Sequence, residues 1–325
     1  MPHPTTFMKG IDTLTYDKGS ISIVMTCYNS MRYITEQLDS LRTQTLSPDE
    51  VIIADDHSTD GTYEHIQEYI SRYGLNWTVY QNAHNIGVVQ NFRALLAKCR
   101  GEYIFPCDHD DVWMPEKISE MVSVMKARPE IMLLVSNYIL WVNGKNARVH
   151  LPNGNRNDGS VMQIHFQDSY LSTLRPGCVF CFRAELLKKF DVYAPDTMLY
   201  DALLWKCAIL SDSLYLLNRQ LIYYRRHAHV STGAYMAPIA DVIKLRDSDG
   251  ETEMYREFLS YADELEIKPE YCELMRKQID FLQRRRKIRE KKNLFSTSLF
   301  VLRNMKYYPT LRNALSDIYA VIFLK

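Results

Sequence analysis

Short apolar, β-branched runs alternate with amphipathic stretches through the first 140 positions of the chain. The run Ser20-Ile-Ser-Ile-Val-Met-Thr26 predicts a buried strand that empties into the turn-forming tail Cys27-Tyr-Asn-Ser30. Tyr33, Ile34, Leu38 and Leu41 recur at helical spacing, and Pro48 stops that helix. Val51–Ala54 predicts a second strand running into the polar segment Asp55-Asp-His-Ser-Thr-Asp-Gly-Thr62; a helix follows over 63–73, closed by Gly74. Trp77–Gln81 predicts a third strand, 82–87 a polar loop and 88–99 a helix. A fourth strand, Tyr103-Ile-Phe105, ends at Pro106; a helix over 115–127 and a strongly apolar fifth strand over 131–141 complete the series.

Strands alternating with helices predict a mostly parallel sheet covered on both faces. Parallel strands leave their carboxyl ends on one edge, so Asn29, Asp55, Asp56, Asp108 and Asp110 are expected to converge on one crevice. The densest polar cluster is Asp108-His-Asp-Asp111, with three carboxylates in four residues. Like charges this close raise each other's pKa unless a cation sits among them. Such a cluster is either a site for a hard divalent ion, Mg²⁺ or Mn²⁺, or a solvated loop leading into the helix near Pro115. The chain has neither G-x-G-x-x-G after the first strand nor G-x-x-x-x-G-K-[ST] anywhere, so the usual phosphate cradles are missing.

Residues 142–168 read as polar loop, and Leu174–Arg183 as a turn followed by a short strand. Tyr200-Asp-Ala-Leu-Leu-Trp205 opens a helix in which Asp201 is either a charge favourable to the helix dipole or a functional acid. A strand over 215–224 ends in Arg225-Arg-His-Ala-His229, where His227 is a surface residue or a ligand. Beyond Gly233 the pattern is charged helix. Tyr271, Leu274, Met275, Ile279 and Leu282 form an apolar face, residues 284–292 carry seven basic side chains, and Leu294, Phe295, Leu299, Phe300 and Leu302 follow. These helices either pack internally or in an oligomer, or dock on a membrane surface.

Composition narrows the class. With 325 residues, 46% of them hydrophobic, the chain suffices for one large domain with a helical extension. The 39 basic and 39 acidic residues cancel, so nothing global argues for nucleic acid. Seven scattered cysteines, several in apolar surroundings, fit reduced thiols and a cytoplasmic location; Cys178-Val-Phe-Cys181 has no second pair at zinc-ribbon spacing. No signal-peptide core and no apolar run of about 18 residues is evident.

In combination, Ile23-Val-Met-Thr-Cys-Tyr-Asn29, Ile53-Ala-Asp-Asp-His-Ser-Thr-Asp-Gly-Thr62, Asn85-Ile-Gly87 and Asp108-His-Asp-Asp-Val-Trp113 resemble the inverting family-two glycosyltransferases, most of all the rhamnosyltransferase-like bacterial group. The resemblance covers about residues 20–233. It implies an α/β GT-A fold with an N-terminal segment over 1–19, a catalytic domain over 20–233 and a helical extension over 234–325. It implies a nucleotide-diphospho-sugar donor (UDP- or dTDP-linked), a divalent metal (Mn²⁺ or Mg²⁺) and a glycan or polyprenyl-linked acceptor used in bacterial surface polysaccharide synthesis. From the residues themselves, where the resemblance ends, the location expected is cytoplasmic, with peripheral contact to the inner face of the cell membrane or oligomer contact through the C-terminal helices.

Residue by residue, the resemblance has Thr26, Tyr28 and Asn29 lining the nucleotide pocket, and Asp56 accepting the pyrimidine N3–H with Asp55 beside it. Asn85, Gly87 and Asn91 fall in the donor set, Asp108 on the ribose or the metal, and Asp110 on the metal, with His227 closing the metal site. Asp201 takes the place of the catalytic base. His57 stands where the family often has glycine, and Tyr200 where a second acid or a histidine is common. Two other classes compete: a non-catalytic nucleotide-sugar-binding subunit of a polymerase, and a pyrophosphorylase. The latter calls for a Gly-rich basic loop that Thr26-Cys-Tyr-Asn-Ser30 lacks.

Overall fold

Strand β1 (Asp17–Cys27) is hydrogen-bonded on both sides by parallel neighbours, β2 (Glu50–Asp55) and β4 (Gly101–Asp108). Parallel strands covered on both faces read as unbroken apolar runs, and Ile21, Ile23, Val24, Met25 and Cys27 are all buried. The structure, a computed structural model, describes residues 16–149, 151, 153–193, 198–226, 248–308 and 311–323.

The remaining strands are β3 (Trp77–Gln81), β5 (Val112–Trp113), β6 (Leu133–Val142), β7 (Lys145–Ala147), β8 (Val161–Gln163), β9 (Phe180–Arg183) and β10 (Leu214–Arg226). The sheet runs β3-β2-β1-β4-β9-β6-β10-β5, with β7 on β6 and β8 on β10. The long ladders, β3-β2-β1-β4 and β6-β10, are parallel, while β9, β5, β7 and β8 pair antiparallel over two or three residues each. The sheet is therefore mostly parallel, as the strand–helix alternation predicts. Helices α1 (Ile34–Arg42), α2 (Thr62–Tyr73), α3 (Gly87–Leu96) and α4 (Lys117–Ala127) are the crossovers. Then come α5 (Phe166–Ser169), α6 (Leu186–Val192) and α7 (Tyr200–Leu210). In α7 the residues from Leu203 to Leu210 are all buried, the pattern of a core helix.

Two expectations change. Pro106 does not end β4, which continues to Asp108. On its β9 side β4 pairs only at Tyr103 and Ile104, so Pro106 lies in an edge-like stretch where the lost N–H is tolerated. The polar segment 142–168 is not all loop, since it contributes β7, β8 and the start of α5. By its own contacts the described chain divides into two compact units. One compact unit takes residues of 1–164 and 173–227, and the other those of 165–172 and 228–325. The short segment belongs with the helices because the Phe166 ring lies 5.2 Å from that of Tyr271 and Tyr170 Oη donates to Lys306 O at 2.6 Å.

The helical unit contains α8 (Ser248–Ser260), α9 (Pro269–Glu290), α10 (Leu294–Arg303) and α11 (Leu311–Phe323). Its centre is Phe281, ringed by Phe300, Tyr307 and Tyr308 at 5.7, 5.4 and 5.0 Å. Arg285 leaves the basic run for the interior, where Nε and Nη2 each donate to Asp317 at 2.6 Å and Tyr308 Oη donates to the same carboxylate at 2.7 Å. No helix among the described residues is long and apolar enough to cross a membrane.

The β1–β4 ladder closes most tightly at Gly101. Its N–H donates to Ser22 Oγ at 2.7 Å, and a Cβ there would stand 2.5 Å from Ser22 N and Oγ. Gly101→Ala is expected to destabilise the sheet unit by about 1–3 kcal/mol, the usual range for overpacking, read as a lowered urea midpoint. An unchanged midpoint would mean that the ladder yields without cost.

Candidate active site

The parallel register sets four strand ends side by side. Thr26 lies between Ala54 and Asp108, while Cys27 pairs with Asp55 and Asp55 with Gln81. Asp55 is buried, and its carboxylate is taken up locally. Oδ1 accepts from Ser58 Oγ at 2.5 Å and Cys27 Sγ at 3.5 Å; Oδ2 accepts from Ser58 N and Gln81 Nε2, both at 2.9 Å. Ser58 Oγ in turn accepts from Asn29 N at 2.8 Å, and Asn29 Oδ1 accepts from Thr59 N at 2.9 Å. The tail of β1 is thus fixed to the tail of β2, and Tyr28 is left 47% exposed at the rim.

Asp56 fastens the next loop. Oδ1 accepts from Asn82 Nδ2 and Ile86 N, and Oδ2 from Gly87 N, each at 2.9 Å. A carboxylate at the start of α3 satisfies N–H groups that the helix leaves open and complements its dipole. Gly87 adopts φ +81°, which glycine alone takes up without strain. Its N–H is shared with Asn85 Oδ1 at 3.1 Å. Buried Asn91 donates to Ala54 O at 3.3 Å and accepts from Asn82 Nδ2 at 3.1 Å. Of the roughly four acceptor positions of a carboxylate, Asp56 thus keeps about one for a ligand.

Beyond Asp108 the chain turns through His109 and Asp110 to fully buried Asp111. Asp111 Oδ1 accepts from Arg225 N at 2.8 Å, while buried Oδ2 has no hydrogen-bond partner among the described residues. Arg225 clamps this turn. Its Nε donates to Asp110 O at 2.6 Å, Nη2 donates to Glu36, and the guanidinium lies 4.2 and 4.7 Å from the ring centroids of Trp141 and Tyr33. Below it, fully buried Lys117 donates Nζ to Cys178 O at 2.5 Å and stands 3.6 Å from the Trp113 ring centroid. Burial pulls its ammonium down to about 8.

A carboxylate oxygen of Asp108, one of Asp111 and the Cys178 Sγ lie within 4.8 Å of one another. Burial, then the charges of Asp110 and Asp201, push Asp108 up to about 7. Burial, then Asp110 and Asp108, push Asp111 well up. The Cys178 thiol is raised by burial, then by Asp111 and Asp108, and stays protonated. This is the electrostatics of a site short of positive charge.

Asp201 sits in the first turn of α7, where Oδ1 accepts from Ala202 N at 2.7 Å. Burial raises its pKa despite the N–H groups of Ala202 and Gly177 and the charge of Lys206. A helix dipole alone would lower it, so desolvation dominates. Gly177 lets the helix start come this close. A Cβ there would stand 2.2 Å from Tyr200 Oη and 2.9 Å from Asp201 Cβ. Tyr200 is held from its other side by Phe92, with ring centroids 4.0 Å apart.

The register brings Thr26, Asp55 and Asp108 to one edge, and the charge of Asp201 is felt at Asp108. Asn85, Gly87 and Asn91 belong to the loop fastened by Asp56. His227 lies outside the described residues. Sequence reasoning missed Gly177, Lys117 and Arg225. Pro176-Gly177 signalled only a turn, and neither cation shows in sequence which acids it meets.

A mostly parallel α/β sheet with acids on its carboxyl edge defines this as a protein of GT-A fold. Residues 22–191 match the family described as Glycosyl transferase family 2, more than half of the chain, and the chain belongs to that family. An uncharacterized protein of Mycobacterium tuberculosis is 33% identical over 212 residues, 64% of this chain and 59% of its own length. An uncharacterized glycosyltransferase of Nostoc sp. is 26% identical over 211 residues, 64% of this chain and 65% of the relative. The chain therefore matches less than two thirds of the length of these relatives. Among solved structures, Staphylococcus aureus TarS 1–349 in complex with UDP-GlcNAc aligns with a TM-score of 0.60 at 19% identity, over 93% of this chain and 90% of that one.

Gly177→Ala is expected to force Tyr200 and Asp201 outward and to cost about 1–3 kcal/mol of stability, measured by thermal denaturation. A fully stable Gly177→Ala protein would show that α7 does not depend on this approach.

Proposed function

We propose that this chain is a metal-dependent inverting glycosyltransferase. It moves a sugar from a nucleoside-diphosphate-sugar to a hydroxyl of a glycan or polyprenyl-linked acceptor in bacterial surface polysaccharide synthesis. The observation that carries the reading is the pairing of a desolvated carboxyl, Asp201, with the acidic turn at the end of β4. Family membership supports the class. The TarS complexes with UDP and with UDP-GlcNAc support a uridine-linked donor over a thymidine-linked one. Seven unpaired, buried cysteines agree with a reducing, cytoplasmic setting.

The donor's base and ribose fit the edge formed by Thr26, Tyr28 and Asn29, with Asp56 offering its remaining acceptor position. Asp201 takes the proton of the acceptor hydroxyl as that oxygen bonds to C1 and the bond from C1 to the diphosphate breaks. This single displacement inverts the anomeric centre. A base with a raised pKa draws the proton more strongly than an ordinary carboxylate does.

The residues present fit a hard divalent ion. Asp108 and Asp111 are both held up by burial and by the charge of Asp110, and Asp111 Oδ2 is a buried acceptor with no hydrogen-bond partner among the described residues. Asp108 and Asp110 would hold the ion, with His227 proposed beside them; the protonated Cys178 thiol is a poor match for it. When bound, a divalent ion supplies Lewis-acid stabilisation of the departing diphosphate.

Asp201→Asn keeps the shape and removes the base. It is expected to lower kcat roughly a hundredfold or more with donor affinity unchanged in calorimetry. Turnover near that of the parent protein would reduce Asp201 to a helix-start charge. Donor binding by the parent protein with neither transfer nor hydrolysis would make the chain a nucleotide-sugar-binding subunit instead.

The base works only when ionised and its folded pKa is raised. The rate should therefore fall with acid at a higher pH than for an ordinary carboxylate, and a kcat profile flat down to pH about 4 would exclude Asp201 as the group. Mn²⁺ should raise the melting temperature by mass action, more at pH 8 than at pH 6 because protons compete for the same oxygens. Asp110→Ala should lose that shift. Full activity in excess EDTA would sink the metal assignment.

A further inference from the structure

The helical unit has two helices whose apolar residues face both ways. In α10, Thr297 and Val301 are buried and Phe300 stacks on Phe281, so one face closes the core. The other face carries Phe295, Leu299 and Leu302 at i, i+4 and i+7, and these are 79%, 36% and 73% exposed. Helix α11 repeats the arrangement. Ala314 and Asp317 are buried, while Leu311, Leu315 and Ile322 are 62%, 53% and 44% exposed. The two helices pack against each other. Single exposed leucines need no explanation, but a full stripe on each of two neighbouring helices marks an interaction surface.

Charge selects the occupant. From Lys291 to Lys325 the chain has six basic residues and one acid. That acid, Asp317, is buried against Arg285. Lys291, Lys292, Arg303 and Lys306 are exposed around the stripes. The earlier half of the basic run is unlike them, since Arg284 pairs with Asp280 at 2.7 Å and Arg286 with Glu290 at 3.1 Å. A second copy of this chain meeting the face two-fold would set these cations against themselves. Negatively charged lipid headgroups complement them while the acyl boundary takes up the stripes.

We propose that this face of α10 and α11 docks the protein on an anionic lipid surface. The inference goes beyond the reaction proposed above and does not depend on it. The cations bring the unit to the headgroups, and Phe295, Leu299, Leu302 and their counterparts on α11 enter the boundary below them. The attachment is peripheral and reversible, and salt weakens it by screening the first of the two contributions.

The test is co-sedimentation of the full chain with vesicles of phosphatidylcholine alone or with about a third phosphatidylglycerol, the composition giving a strongly anionic surface. Binding is expected only to the anionic vesicles and should fall as salt rises. Phe295→Ser combined with Leu302→Ser should lower the partition coefficient roughly a hundredfold. Both positions are exposed, so the melting temperature should stay unchanged. Lys291→Gln with Lys292→Gln should lower the partition coefficient roughly 25-fold, about fivefold for each charge. The lysine pair also carries the test if the serine variant melts early. The proposal is overturned if the intact chain stays in the supernatant at low salt, if both variants bind as the parent does, or if the two kinds of vesicle bind equally. It is also overturned if sedimentation velocity shows a dimer that the serine variant dissolves while vesicles are ignored, which would assign the face to a second copy.

Discussion

Arg225 is the tie on which the acidic turn depends. It binds Asp111 through its backbone N–H, the Asp110 carbonyl through Nε and Glu36 through Nη2, and it is stacked between Tyr33 and Trp141. One side chain thereby joins β10, the turn after β4, α1 and β6. A planar guanidinium with several fixed donors can do this where a lysine ammonium cannot. Without it, three carboxylates in four residues would repel one another outward into solvent. With it Asp111 stays fully buried and Asp108 and Asp110 half-buried, and Asp108 and Asp111 carry the consequence as raised pKa values.

The acids at the sheet edge fall into two groups. Asp55 accepts four hydrogen bonds and Asp56 three, from their own loop, from β1, from β3 and from the loop after it, so they serve chiefly to hold the strand tails and the start of α3 in place, with about one acceptor position of Asp56 left over. Asp108, Asp111 and Asp201 have fewer donors and raised pKa values, so their protonation is tunable by whatever enters the edge. A group of well-hydrogen-bonded carboxylates thus stands beside a group whose pKa values are raised. The first group sets positions, and the second awaits positive charge.

In the helical unit the corresponding tie is the buried pair Arg285–Asp317, closed by Tyr308. Removing one partner of such a pair strands the other in the interior, a larger penalty than the pair's own net contribution. The pair also takes one arginine out of the basic run and covers the only acid after Glu290. The exposed charges of the described residues from Lys291 to Lys306 are all basic.

The strands and crossovers were legible in the sequence because burial on both faces writes itself as an apolar run and helix–sheet contact as a period near 3.6. Thr26, Asp55 and Asp108 could likewise be placed at strand ends, since parallel connection forces those ends onto one edge. The proline inside β4 was misread because its tolerance depends on where β9 stops, which is a fact about a neighbour far along the chain. Chain spacing could not show that Asp56 has three donors already, that Gly177 must lack a side chain for Asp201 to approach, or that Arg225 reaches Glu36. It also could not show which of the apolar faces in 294–302 is core. Phe300 and Val301 turn inward while Phe295 and Leu302 remain in solvent, because the aromatic cluster at Phe281 has room for one face only. Periodicity is a local property carried by each segment. Partner identity, desolvation and the choice between equivalent faces are set by residues distant in sequence, and only the tertiary structure decides them.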